Sequence, residues 1–135
     1  MSEENVEIVR RGFETGNRRE VEAMIELLDP EIEWHSALLM SLEGEAAVYR
    51  GHEGIRTFFG DLDELFDRVH AEYPEIRDLG DRVVGIGRIR MRGKGSGAET
   101  ESPIVTVVDL KNGKATQVRT YLDPKQALEA AGLTE

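Results

Sequence analysis

The sequence predicts an α+β domain in which helices pack on one face of a curved, mainly antiparallel sheet. Three observations predict it. Apolar residues recur at helical spacing in the first half, most clearly Ile55, Phe58, Phe59, Leu62 and Phe66, an i, i+3, i+4, i+7, i+11 stripe. Beyond residue 68 the period changes to two, punctuated by Gly, Pro and an Asn-Gly pair at hairpin distances. No linker, repeat or low-complexity segment interrupts the 135 residues, so they read as one domain, 1–135, with one core.

The elements follow in order. Val6, Val9 and Phe13 place a helix over residues 3–16, with Ser2 as N-cap and Gly16-Asn17 as stop. Asn17 and Glu20 have the spacing of a capping box for a second helix. Its apolar face is Val21, Met24, Ile25 and Leu28, and Asp29-Pro30 ends it. Glu31–His35 alternates as a short strand, and residues 36–50 show no clean period. The striped third helix opens at His52-Glu53. Val69–Asp78 reads as a strand that Tyr73-Pro74 bends or confines to an edge. Arg82–Arg92, Glu99–Leu110 and Lys114–Leu122 complete an antiparallel meander, its last hairpin turned by Asn112-Gly113. Asp123-Pro124 supplies an N-cap and a proline at N1 for a short helix, Pro124–Ala131.

Composition narrows the function. The formal net charge of −10 disfavours broad binding to nucleic acid or an anionic membrane. The chain has no cysteine, which excludes disulfides, thiolate catalysis and cysteine metal sites. No apolar run approaches the roughly 18 residues of a membrane helix. Met-Ser-Glu-Glu is unlike a signal-peptide start, so a cytoplasmic protein is expected. His35, His52 and His70 lie far apart and show no ligand spacing, so no metal is expected.

Gly85–Gly97 is rich in glycine and arginine. It fails the P-loop pattern because Gly93-Lys94 is followed by Gly95 and a strand rather than Ser or Thr and a helix. Arg88, Arg90 and Arg92 instead share one strand face, with Ile89 and Met91 on the other. Glu99 and Glu101 share a face of the neighbouring strand. Two readings stay open. The residues form cross-strand ion pairs on a solvated or dimer-facing surface. Alternatively, Arg88 and Glu101 pair inside a pocket, where a desolvated carboxylate acts as base and Arg88 binds an anionic or carbonyl oxygen. His35 is either a general base or a hydrogen-bonded strand-end histidine, and strand alternation points it away from Trp34.

Three motifs carry a resemblance. Ile32-Glu33-Trp34-His35 follows Leu27-Leu28-Asp29-Pro30. Tyr49-Arg50-Gly51-His52-Glu53-Gly54 opens the third helix, and Val118–Asp123 ends the last strand. Together they resemble the SnoaL-like, ketosteroid-isomerase-like branch of the nuclear-transport-factor-2-like superfamily, over about residues 3–132. The resemblance implies a cone-shaped α+β barrel whose curved sheet wraps the third helix around an apolar small-molecule pocket. It also implies homodimers packed through the sheet. In some members it implies isomerase- or cyclase-type acid–base chemistry on carbonyl compounds, with no metal or organic cofactor. Trp34, Tyr49, Phe58, Phe59, Phe66 and Tyr121 are then expected to bind substrate. The family's catalytic sets are broken here. The isomerase aspartate falls at Trp34, and the first helix has no tyrosine. The epoxide-hydrolase set falls at Arg88, Arg90 and Thr120 and keeps only its arginine. His35, Arg88 and Glu101 are left as catalytic candidates. A binding module without chemistry, or a dimeric interaction domain with a filled cone, are the alternatives. An acid–base pair facing the cavity, an apolar cavity or no cavity distinguishes the three.

Overall fold

A computed structural model describes residues 2–40, 46–123, 125 and 129. The chain runs α1 (Ser2–Asn17), α2 (Val21–Ile25), β1 (Leu28–Met40), β2 (Ala46–Arg50), α3 (Gly51–Leu65), β3 (Phe66–Asp78), β4 (Arg82–Gly93), β5 (Glu99–Lys111) and β6 (Lys114–Tyr121). The strands form one sheet in the order β2-β1-β6-β5-β4-β3. β1 and β6 pair in parallel, and every other neighbouring pair is antiparallel. α3 touches β1 and β2 at one end of that order and β3 at the other, so the sheet curls around it. β2 and β3 remain edges, and the cone is open rather than a closed barrel.

Strand alternation sorts the side chains into two faces. The concave face carries Ile32, Ser36, Val83, Ile89, Ile104, Val108 and Val118, all buried. Against it pack Val9 of α1 and Ile55, Phe58, Phe59 and Leu62 of α3. The expected stripe on the third helix is therefore its core face, and Phe66 begins β3 beyond it.

The first helix ends at Asn17, at the expected Gly16-Asn17 stop, with both residues inside its last turn. Several expectations are corrected. Asn17 forms no capping box. Its amide nitrogen donates to the Ala71 carbonyl at 2.7 Å, and its oxygen accepts the Ala71 N–H at 3.0 Å. Glu20 caps α2 without a side-chain bond, and α2 spans five residues. Asp29-Pro30 does not terminate a helix; it lies inside β1. A proline is tolerated there because the register with β6 slips between Leu28 and Glu33, so no ladder donor is lost. The Asp29 carboxylate takes the Glu31 N–H at 2.8 Å. Residues 46–50, without a clean period in sequence, form β2.

Other expectations match. β3 is an edge strand whose register shifts between Glu72 and Glu75, around Tyr73-Pro74. Asn112 and Gly113 both have positive φ, 54° and 79°, as a tight two-residue hairpin requires. Of the expected terminal helix, Pro124–Ala131, Lys125 and Glu129 are described and are helical, and the rest lies outside the described residues. The Asp123 carboxylate accepts the Lys125 N–H at 3.0 Å, as an N-cap does.

Candidate functional site

Between the concave face, α1 and α3 lies a cavity of about 120 Å³. Its wall is mostly apolar, with Phe13, Trp34, Leu38, Phe58, Phe59 and Ile104 prominent. Trp34 and Phe58 have ring centres 5.2 Å apart, and Trp34 meets Phe59 edge-on at 6.3 Å. The buried stripe of α3 puts Phe58 and Phe59 here, and the pleat of β1 puts Trp34 here, two residues from buried Ile32 and Ser36.

A few polar groups reach this wall. Tyr73 crosses from β3 over β4 and meets Thr106 of β5, hydroxyl to hydroxyl, at 2.8 Å. Gly85 makes that crossing possible. It sits opposite Thr106 in the ladder, and a Cβ there would lie 2.9 Å from the Tyr73 ring and 2.8 Å from Phe13. Phe13 stacks on Tyr73, with ring centres 3.9 Å apart and planes 19° from parallel. Burial pushes the Tyr73 phenol up to about 12, with the Thr106 bond opposing, so it is neutral near pH 7. Thr120 accepts the Ala37 N–H at 2.9 Å. Trp34 differs from these, because its buried indole nitrogen has no partner among the described residues. Arg19 contributes the charge. Its guanidinium lies 5.5 Å from the Phe59 ring centre, and its Nε donates to Asp63 at 3.0 Å. Among the described residues no Asp, Glu or His lines the cavity.

The predicted residues therefore divide. Trp34, Phe58 and Phe59 come together in the wall. Phe66 and Tyr49 pack on the same core without lining the cavity. Tyr49 donates instead to the Asp61 carboxylate at 3.0 Å, and burial, aided by that bond, lifts its phenol to about 12. Tyr121 lies on the opposite, convex face beside Val84, Val105 and Val107. His35 is also convex, with Nε2 3.4 Å from Glu33 Oε1.

Arg88 and Glu101 do pair, Nε to Oε2 at 2.9 Å, but not within the cone. Their side chains are 58% and 45% exposed. The Arg88 guanidinium holds the Glu101 carboxyl below its usual range, the opposite of what a base near neutral pH needs. Arg92 and Glu99 repeat the pattern at 4.0 Å. The glycine-arginine stretch is thus a row of surface ion pairs outside and a pair of clearance glycines inside. Gly87, like Gly85, sits where a side chain cannot, since a Cβ would overlap the Glu72 carbonyl in the β3 bulge.

Tyr73, Thr106 and Asn17 were missing from the sequence-based site. Alternation carried a signal for two of them. Val69, Ala71 and Tyr73 share one face, as do Ile104, Thr106 and Val108. Among the described residues no group of three or more metal-ligating side chains gathers, and no helix is long and apolar enough to cross a membrane.

The comparisons with known proteins agree on the fold. An NTF2-like protein of unknown function from Burkholderia pseudomallei superposes with a TM-score of 0.81 at 22% identity, covering 93% of this chain and 95% of that one. A protein from Jannaschia sp. CCS1 assigned to the SnoaL-like polyketide cyclases gives 0.76 at 23% identity, covering 99% and 94%. A protein of ketosteroid isomerase-like fold from Catenulispora acidiphila, in complex with trimethylamine, gives 0.75 at 20% identity, covering 94% and 93%. No match was found among curated protein sequences. The SnoaL-like domain family matches residues 9–118, most of the chain, from within α1 to within β6. With that match and the open cone around α3, the chain belongs to the SnoaL-like domain family.

Proposed function

We propose that this SnoaL-like chain binds a small apolar molecule in the cavity, without acid–base chemistry at the cavity wall. One observation carries the reading. The described wall holds no carboxylate and no imidazole, and its one charged side chain, Arg19, is already engaged by Asp63. General acid–base catalysis needs a group that titrates near the operating pH within about 3 Å of the proton, directly or through one water. The wall's Tyr73 phenol is bonded to Thr106 and pushed up to about 12. The catalytic candidates His35, Arg88 and Glu101 point from the other face of the sheet. A concave, mostly apolar wall with a few polar groups is the usual form of a small-molecule site. The trimethylamine complex of the Catenulispora acidiphila protein is a precedent for small ligands on this fold. We propose as well that the protein is a cytoplasmic homodimer and that it binds neither nucleic acid nor an anionic membrane; the charge of −10 supports the last of these.

Mass spectrometry of the purified protein, native and then denatured, tests the reading. A small apolar compound is expected in the native complex and free after denaturation. The cavity-filling variant Val118→Phe is expected to lose it. Retention by that variant would place the ligand elsewhere and refute the proposal. Turnover of a carbonyl substrate that disappears in His35→Ala or Glu101→Gln would refute it as well.

A further inference from the structure

The turn between α1 and α2 holds an arginine where glycine is usual. The Arg19 N–H bonds the Gly16 carbonyl at 3.1 Å, and the Glu20 N–H bonds the Thr15 carbonyl at 2.9 Å. These paired bonds form a Schellman cap, whose closing residue is left-handed and most often glycine. Arg19 takes that position with φ 59°. Among the described residues the other non-glycine with positive φ is Asn112, an amide that tolerates the conformation in its hairpin. Arginine has no such tolerance, so the cap is weaker than glycine would make it. The position does, however, place the side chain. Nη1 donates to the Gly16 carbonyl at 3.4 Å, and the guanidinium lies 5.5 Å from the Phe59 ring centre. Gly16 and Phe59 both belong to the cavity wall, and Arg19 is its one charged side chain among the described residues. The partner lies outward. The Asp63 side chain is 62% exposed against 27% for Arg19, so the guanidinium stands where the apolar wall meets water. The ion pair is a single-point contact from Nε, and Nη2 has no partner among the described residues. A fork of N–H groups beside an apolar cavity matches a carboxylate on a hydrocarbon body. Size limits that body. A dry apolar cavity of about 150 Å³ holds benzene, so one of about 120 Å³ suits a single ring.

We infer that the cavity takes a small apolar monocarboxylate, its hydrocarbon body in the cavity and its carboxylate on the Arg19 guanidinium, where it competes with Asp63. The inference rests on the binding reading of the same cavity and gives that ligand a charged end. The chain's net −10 opposes an anion at long range, but physiological salt screens it beyond about 8 Å, so contact with Arg19 decides.

Calorimetric titration at pH 7 tests it with benzoate, its neutral isostere benzamide and the cation benzylammonium. Benzoate is expected to bind about tenfold more tightly than benzamide, the margin of one charge-assisted contact, and benzylammonium most weakly. Arg19→Gly gives the cap its usual residue and removes the guanidinium. It should unfold at the parent's urea midpoint or above, while its affinity for benzoate falls to that for benzamide. A lower midpoint with the benzoate preference intact would make Arg19 a structural residue and overturn the inference. Equal affinity of the parent for benzoate and benzamide would overturn it too and leave the binding reading standing. Val118→Phe fills the cavity and should lose all three probes. Benzoate held by that variant as tightly as by the parent would place the acid on a surface cation, against the inference. Binding of none of the three by the parent would count against both readings. The parent's ranking of the probes decides the matter even where a variant does not fold.

Discussion

Tyr73 shows what a single residue does in this protein. Its ring fills the groove that Gly85 leaves open, lies against Phe13 and brings a hydroxyl to Thr106. Tyr49 does the equivalent near α3, where it meets Phe58 at 5.2 Å and donates to Asp61. Both phenols are held up at about 12 against an ordinary value of about 10. The consequence for stability has a definite sign. Below about pH 10 both groups are protonated, folded or unfolded, and their contribution is fully present. Between about 10 and 12 the unfolded chain releases its phenolic protons while the folded chain retains them, so stability falls as pH rises. Urea midpoints measured from pH 8 to 12 are expected to be flat at first and to drop beyond about pH 10. Phenolate absorbance should show at least two of the three tyrosines ionising late or together with unfolding. Two tyrosines titrating near pH 10 in the still-folded protein would contradict this assignment.

At the scale of elements, one side chain ties the first helix to the sheet. Asn17, in the last turn of α1, bonds both the N–H and the carbonyl of Ala71. Ala71 lies on β3, whose other side pairs with β4 and whose outer side is a sheet edge. The amide thus completes an edge that would otherwise present an unpaired donor and acceptor. Asn17→Ala is expected to cost about 1–3 kcal/mol in urea unfolding and to increase aggregation on heating. A midpoint within error of the parent would show that water replaces the clasp at no cost. In the sequence Asn17 reads as a cap, because an amide after a helical run has the same local signature whether it bonds its own helix or a strand 54 residues away. This separates what local pattern reveals from what it cannot. α3 is legible because fifteen residues carry an unbroken apolar stripe, and β4 to β6 because their alternation and the Asn-Gly turn need no distant partner. β2 is not, since Ala46–Arg50 becomes a strand by pairing with β1. The faces of Trp34 and His35 follow from alternation. The depth of the Arg88–Glu101 pair does not, because both faces of a strand alternate equally well and tertiary packing decides which one is covered.

For the whole molecule, the convex face of the sheet poses the remaining question. Val84, Val105 and Val107 form a second apolar cluster there, buried, with Ile86 and Tyr121 half-buried beside it. Around the cluster stand paired charges of both signs, Arg82–Asp109 at 2.6 Å, Arg119–Asp109 at 3.1 Å and Arg88–Glu101 at 2.9 Å. Val84, Val105 and Val107 are already covered within one chain, so half-buried Ile86 and Tyr121 are the apolar part this face offers, among charges of both signs that suit a two-fold contact. The proposed homodimer is expected to use this face. Sedimentation at micromolar concentration is expected to give twice the 15.1 kDa chain mass. Each chain carries a net −10, so raising the salt should tighten association by screening the repulsion between copies. Ile86→Glu places a charge in the apolar centre and should shift the equilibrium to monomer, with far-ultraviolet circular dichroism unchanged. A monomeric mass in the parent would refute the dimer. A dimer indifferent to Ile86→Glu would move the contact to another surface.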